Sequence, residues 1–131
     1  MGSLRGFQVL FGVLALVVVG TGAMDVVFGT ATLPGDTAVG REVDNNYRFF
    51  AGVWLGLGIT MFVILPRVNE HAALVYAISG AVFLGGLARV VSVFAAGVPA
   101  PFMFGLLALE MVAPPVLVLW HRRLPRAQVR W

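Results

Sequence analysis

The stretch "GFQVLFGVLALVVVGTGAMDVVFG", residues Gly6–Gly29, decides the fold class because it is apolar almost throughout, with Asp25 as its charged residue. At the rise of an α-helix, about 1.5 Å per residue, it is long enough to cross a bilayer core of about 30 Å. The whole chain is 60% hydrophobic and 11% charged, which leaves too few polar residues to cover a globule in water. We therefore predict an all-α integral membrane protein.

Three more apolar runs follow, each close to the length that a membrane span requires. They are Tyr47–Leu65, His71–Ala95 and Phe102–Trp120. The segments between the runs, residues 30–46, 66–70 and 96–101, contain the polar or proline-rich sequences of loops. We predict one transmembrane domain over residues 1–131, folded as a four-helix bundle, with residues 121–131 as a basic cytoplasmic tail.

Two short motifs suggest an internal repeat. "GAMDVV" (Gly22–Val27) and "GLARVV" (Gly86–Val91) carry a charge at the same register of the first and third runs. A repeat of this kind would be parallel, one helical hairpin doubled. Chance similarity between Gly/Val-rich helices is the alternative interpretation, and the sequence leaves both open.

The distribution of arginine predicts the orientation. Most arginines outside the apolar runs fall on one side of the predicted membrane, and the other side has only Arg41, among acidic residues. The arginine-rich side holds Arg5, Arg67, Arg122, Arg123, Arg126 and Arg130. By the positive-inside rule this side is cytoplasmic, together with both termini.

Composition also excludes several function classes. The chain has no cysteine, which removes disulfides and thiolate chemistry, and its two histidines, His71 and His121, lie at predicted helix ends far from the other candidate residues. We expect no metal, no cofactor and no nucleic acid, because the basic excess lies at the ends of apolar runs. All nine basic residues are arginine. That usage, with much Gly, Ala and Val, is typical of a GC-rich bacterial gene and places the protein in a bacterial cytoplasmic membrane.

Four ionisable residues lie within or at the edge of the apolar runs, one on each: Asp25, Arg48, Arg89 and Glu110. Measured from the outer ends of their helices, their depths are roughly 6 Å, 0 Å, 9 Å and 12 Å, so all four lie in the outer half of the membrane. Two cations and two anions make a neutral group, as a low-dielectric site requires. We predict that they form one cluster.

The flanking residues indicate that the charged faces are packed faces, since small or polar residues lie one helical turn from each charge. Asn46 and Ser92 are the polar residues expected to support Arg48 and Arg89. Pro114 has no N–H for the carbonyl of Glu110, so Pro114 and Pro115 predict a helix break and a local opening beside that carboxylate. Glu110 is the expected counter-ion of Arg89 or Arg48.

Three stretches resemble the small bacterial four-helix membrane proteins grouped as domain of unknown function 4345. They are "NYRFFAGVWLGLG" (Asn46–Gly58), "GGLARVVSVFAAGVPAP" (Gly85–Pro101) and "LLALEMVAPPVL" (Leu106–Leu117). The resemblance covers nearly the whole chain and includes Arg48, Arg89 and Glu110. It implies a four-helix membrane bundle and no established activity.

Two interpretations of the charge cluster remain open. It either fixes which helix packs where, as buried ion pairs do, or it forms a polar pocket toward the outer leaflet. In the second case, we expect membrane lipids, an amphipathic small molecule, a membrane protein partner or a second copy of the chain as ligands. The hypotheses are a binding protein or accessory subunit, a proton- or ion-coupled carrier acting as an oligomer, and an intramembrane acid–base enzyme acting on a lipid. An enzyme is disfavoured because no nucleophile–base pair is present.

Overall fold

The computed structural model describes residues 3–35 and 38–126, and within them the chain is helical, without strands. Four α-helices follow one another: α1 (Leu4–Phe28), α2 (Arg41–Ile64), α3 (Ala72–Ala96) and α4 (Pro101–His121). Short 3-10 segments, Gly29–Thr32 and Leu65–Glu70, continue α1 and α2. All four helices are long and apolar enough to cross a membrane, which confirms the predicted all-α class with four candidate spans. Residues 127–131, the end of the predicted basic tail, lie outside the described residues.

Helix α2 begins at Arg41, well before the apolar run that predicted it. Asn46, predicted as a loop residue, therefore lies inside a helix, and that assignment was wrong. Hydropathy marks where a chain becomes apolar, whereas a helix begins where its backbone hydrogen bonds begin. Glu42 and Asp44 lie in the first turn of α2, where negative charge offsets the positive end of the helix dipole.

The chain divides into two compact units, each built on one helical hairpin. The first hairpin unit is Gln8–Pro66 and contains most of α1 and all of α2. The second hairpin unit contains α3 and α4 in residues 67–126, together with residues 3–7 from the beginning of α1.

Close backbone approach holds α1 and α2 together in antiparallel orientation. A Cβ at Gly58 would lie 2.9 Å from the backbone nitrogen of Val19, and a Cβ at Gly22 would lie 2.9 Å from that of Leu55. The indole nitrogen of Trp54 donates a 3.0 Å hydrogen bond to Oγ1 of Thr21 in the same interface. Glycine is required at these crossing points because an added Cβ would collide with the facing backbone, and small residues let two helices approach this closely.

Helices α3 and α4 are likewise antiparallel. Gly86 of α3 faces Met111 and Glu110 of α4, where an added Cβ would lie 2.9 Å from the Met111 sulfur and 3.2 Å from the Glu110 Cβ. At the other end of the hairpin, the buried ring of Phe7 packs edge-on against Trp120, with 5.8 Å between ring centroids. These contacts fix which residues of α3 and α4 lie side by side.

The α1–α2 crossing gives a stability prediction with an internal control two residues away. We expect Gly58→Ala to lower the free energy of unfolding by roughly 1–3 kcal/mol, because the new methyl group collides with backbone. Gly56→Ala introduces the same methyl group where nothing lies within 4 Å, and should be neutral or slightly stabilising. Unfolding in mixed detergent micelles, followed by circular dichroism, measures both; equal effects would contradict the close approach.

Candidate functional site

An ion pair joins α3 to α4. Nε of Arg89 donates a 2.7 Å hydrogen bond to Oε2 of Glu110. The Glu110 side chain is only 9% exposed, whereas that of Arg89 is 36% exposed. Arg89 lies roughly 10 Å from the end of α3 at Ala96, and Glu110 roughly 14 Å from the beginning of α4 at Pro101. The pair therefore lies well inside the length of both helices.

This pair forms because Gly86 has no side chain and lets α3 and α4 approach closely. Gly86 lies three residues before Arg89, on the same face of α3, and lets the α4 backbone approach beside Glu110. The short interhelical distance brings the carboxylate within reach of Nε, which lies partway along the arginine side chain. The guanidinium group therefore extends beyond the pair.

Only one edge of the Arg89 guanidinium group is used by the protein. A guanidinium group has five N–H donors, and Nε accounts for one of them. The terminal nitrogens Nη1 and Nη2 make no hydrogen bond with the described residues. Arg89 therefore combines a held charge with a partly exposed fork of free donors.

Arg48 has a different environment, at the end of α1. Its Nη1 donates to the carbonyl oxygens of Val26 (2.6 Å) and Val27 (2.8 Å), and its Nε donates to Oδ2 of Asp44 (2.8 Å). The last carbonyls of a helix have no partner within the helix, and a cation there also offsets the negative end of the dipole. Arg48 thus caps α1 from α2.

Asp44 completes this cap from the same helix as Arg48. Its Oδ1 accepts hydrogen bonds from the backbone N–H (3.0 Å) and the hydroxyl group (3.1 Å) of Thr30. Gly29 lies directly beneath, with φ +59°, and a Cβ there would collide with both Asp44 and Arg48. A residue without a side chain is therefore required where α1 turns into the following 3-10 segment.

Asp25 belongs to a neighbouring set of hydrogen bonds. Its Oδ1 accepts a 2.6 Å hydrogen bond from the hydroxyl group of Thr32, and the Tyr47 hydroxyl lies 3.2 Å from that same Thr32 oxygen. Asp25 is half-buried. The Asp25 carboxylate is thus bound by the Thr32 hydroxyl group, which in turn contacts the Tyr47 hydroxyl group and so links the end of α1 to α2.

Of the four residues predicted to cluster, the structure pairs Arg89 with Glu110 and gives Arg48 a carboxylate that the prediction did not use, Asp44. A single cluster of all four stays a prediction. The supporting residues Asn46 and Ser92 are both exposed and make no side-chain hydrogen bond with the described residues.

The two prolines of α4 do not interrupt it. The helix runs without a gap from Pro101 to His121, with Pro114 buried and Pro115 exposed. This differs from the expected break. The prolines still remove the two N–H groups that the carbonyls of Glu110 and Met111 would accept from, so their effect is on hydrogen bonding rather than on the helical path.

Sequence reasoning missed the role of His121, which it treated as a residue of the membrane interface. The ring is 6% exposed and lies 5.5 Å from that of Phe7 and 5.4 Å from that of Tyr76. Its Nε2 donates a 2.9 Å hydrogen bond to the carbonyl oxygen of Val68. No sequence spacing indicates this arrangement, because its members come from three parts of the chain that are far apart in sequence: Phe7, the stretch from Val68 to Tyr76, and His121.

A model of a protein family matches residues 6–121, nearly the whole chain. The chain belongs to the DUF4345 family, a domain of unknown function. The match confirms the family resemblance and includes every residue of both ion pairs. No curated protein and no solved structure matches this DUF4345 chain.

The ion pair predicts strong coupling between its two members. Arg89→Leu should lower the free energy of unfolding by about 3 kcal/mol or more, because it leaves a buried carboxylate without its partner. The double change Arg89→Leu with Glu110→Leu should recover most of that loss. Denaturation in detergent of the wild type, Arg89→Leu, Glu110→Leu and the double variant measures the coupling as a double-mutant cycle. Additive effects would show that the pair contributes little.

Proposed function

We propose that this DUF4345 protein is a multi-pass membrane protein whose four helices span the bilayer as a bundle, and that Arg89, held by Glu110, binds the anionic head of a lipid-like ligand. The observation that carries the proposal is the Arg89 guanidinium group. Its Nε is fixed by a nearly buried carboxylate, whereas its terminal nitrogens make no hydrogen bond with the described residues and the side chain is 36% exposed.

The surfaces of the helices support a membrane environment. Large apolar side chains are exposed along the length of all four helices, among them Val63 (73% exposed) and Phe94 (87%). A water-soluble monomer rarely exposes contiguous apolar area on this scale. Hydrocarbon chains are the solvent that such a surface suits.

The second hairpin unit supports the proposed orientation. His121 contacts both Phe7 and Val68, so the chain segments that contain these residues lie at the same end of the unit. Five arginines belong to these segments: Arg5, Arg67, Arg122, Arg123 and Arg126. By the positive-inside rule this end faces the cytoplasm, and Arg89 and Glu110 lie toward the opposite leaflet. In this proposal both termini lie in the cytoplasm of a bacterial cell.

The chemistry of Arg89 favours an anion with two acceptor oxygens. A guanidinium fork matches the spacing of phosphate or carboxylate oxygens, and charge-assisted hydrogen bonds are roughly twice as strong as neutral ones. No water is available in the bilayer core to satisfy these donors. An amphipathic molecule satisfies both conditions, since its head meets the guanidinium group and its tail lies along the apolar helix faces.

Arg48 is not part of this proposed site. Its Nη1 is engaged by the carbonyl oxygens at the end of α1, and its Nε by Asp44. We assign Arg48, Asp44 and Asp25 to holding the first hairpin unit together. In this proposal the charges of the first hairpin unit have a structural role, and those of the second form a binding site.

An accessory subunit is the alternative that the same observation favours, since a carboxylate on a partner's helix would satisfy the free donors of Arg89. In a carrier or an intramembrane enzyme, Glu110 would have to gain and lose a proton during each transport or reaction cycle. Transport or lipid turnover that depends on Glu110 would favour one of these two functions over binding.

The test is lipid analysis of the protein extracted gently from its own membrane. We expect an anionic amphiphile enriched with the wild-type protein and lost from the double variant Arg89→Gln with Glu110→Gln, in which both charges are removed together. The double variant avoids an unpaired buried carboxylate and should remain folded.

Arg41→Gln is the control, because it removes an exposed arginine at the beginning of α2 and leaves the pair intact. Enrichment should survive in this control. Retention of the same amphiphile by the double variant would contradict the proposal, and co-purification of a membrane protein in place of a lipid would indicate the accessory subunit.

A further inference from the structure

A cavity of about 180 Å³ lies at the arginine-rich end of the second hairpin unit, where α4 ends and α3 begins. Its lining includes Asn69, Tyr76, His121, Arg122 and Arg126. No residue of the Arg89–Glu110 pair lines it. The cavity is therefore separate from the site proposed above.

Part of the cavity wall is rigid because His121 is held from several sides. Nε2 of His121 donates to the Val68 carbonyl oxygen, and Nδ1 lies 3.4 Å from the Tyr76 hydroxyl oxygen, within hydrogen-bond distance. The two rings also pack edge-on, with 83° between their planes. His121 and Tyr76 thus fix the shape of the inner wall.

The other polar side chains of the lining are those of Asn69 and two exposed arginines, Arg122 and Arg126, beside the apolar Ala72, Leu124 and Pro125. The guanidinium groups of Arg122 and Arg126 form no ion pair with any described carboxylate, and the amide group of Asn69 makes no side-chain hydrogen bond with the described residues. Two like charges beside one cavity repel each other unless an anion lies between them. Glu70, the acidic residue that follows Asn69 in the sequence, is exposed and does not line the cavity.

We infer that this cavity binds the phosphate group of an anionic phospholipid. Two guanidinium groups and an amide supply donors for several phosphate oxygens, which suits the recognition of phosphate by arginine. The cavity lies where the membrane-spanning helices end, which is the depth of the headgroups. Basic pockets between helices on the cytoplasmic side are known to take anionic lipid heads.

This inference rests on the membrane placement proposed above but not on the ligand of Arg89. Its experiment therefore starts from the full chain carrying Arg89→Gln and Glu110→Gln, so that the other site contributes no binding. In that background, native mass spectrometry of the detergent-solubilised protein with added phosphatidylglycerol measures binding to the cavity. If Arg89 does not bind an anionic lipid, the Arg89→Gln, Glu110→Gln protein binds phosphatidylglycerol as well as the wild type does. The cavity variants should then still lower that binding, so failure of the first proposal is distinguishable from failure of this one.

Two double variants with the same change in charge are compared in this background. Arg122→Gln with Arg126→Gln removes the cations of the cavity, and we expect the affinity for phosphatidylglycerol to fall by about tenfold or more. Arg67→Gln with Arg123→Gln removes two exposed arginines that do not line the cavity. This control should change the affinity by less than about twofold, because these two arginines are exposed like Arg122 and Arg126 but lie outside the cavity, where their charge is screened by solvent.

An equal loss in both double variants would overturn the inference, since it would indicate diffuse surface charge rather than a built site. No loss in either would overturn it as well. Inorganic phosphate serves as the competing probe for the source of the phosphate group. Failure of inorganic phosphate to displace the lipid supports a headgroup site, and displacement at equal concentration would instead assign the cavity to a soluble phosphate.

Discussion

The ion pair between Arg89 and Glu110 is the interaction on which the proposed site depends. A carboxylate that is nearly buried between two apolar helices requires a cation close to it, and α3 supplies one at 2.7 Å. That requirement fixes how α3 and α4 are aligned, and Gly86 provides the room for it. The same requirement leaves the guanidinium group only partly satisfied. The contact that stabilises the α3–α4 hairpin thus also leaves the terminal nitrogens of Arg89 without a partner among the described residues.

The two hairpins use similar packing but employ arginine differently. In the first, Arg48 is directed into the protein, where it caps α1 and pairs with Asp44. In the second, Arg89 is anchored at one edge and exposed at the other. The motifs "GAMDVV" and "GLARVV" place a glycine at the close approach of each hairpin. A repeat would account for this likeness and stays a prediction. This difference underlies the proposal that Arg48 has a structural role and Arg89 a binding one.

Composition and hydropathy were sufficient for the helices, because apolar runs of this length have few other stable structures. The beginning of α2 was missed because Glu42 and Asp44 extend the helix beyond its apolar run. Arg89 and Glu110 were found because a charge inside an apolar run is conspicuous. The ion pair of Arg48 with Asp44 was not predicted, because Asp44 was considered only as a polar neighbour one helical turn away and the anions assigned to the cluster were Asp25 and Glu110. The environment of His121 brings together three segments that are distant in sequence, which no local pattern reports.

The central claim is that the free donors of Arg89 meet the anionic head of a lipid-like ligand, which in a phospholipid is a phosphate group. Solid-state NMR of the protein in membranes, with ¹⁵N-labelled arginine and dephasing by ³¹P, tests it directly. At a hydrogen-bond distance of about 2.7–2.9 Å between nitrogen and phosphate oxygen, the terminal nitrogens of Arg89 should be strongly dephased. The signal is assigned by its loss in Arg89→Lys. A signal of Arg89 that persists undiminished beside ³¹P would contradict the claim.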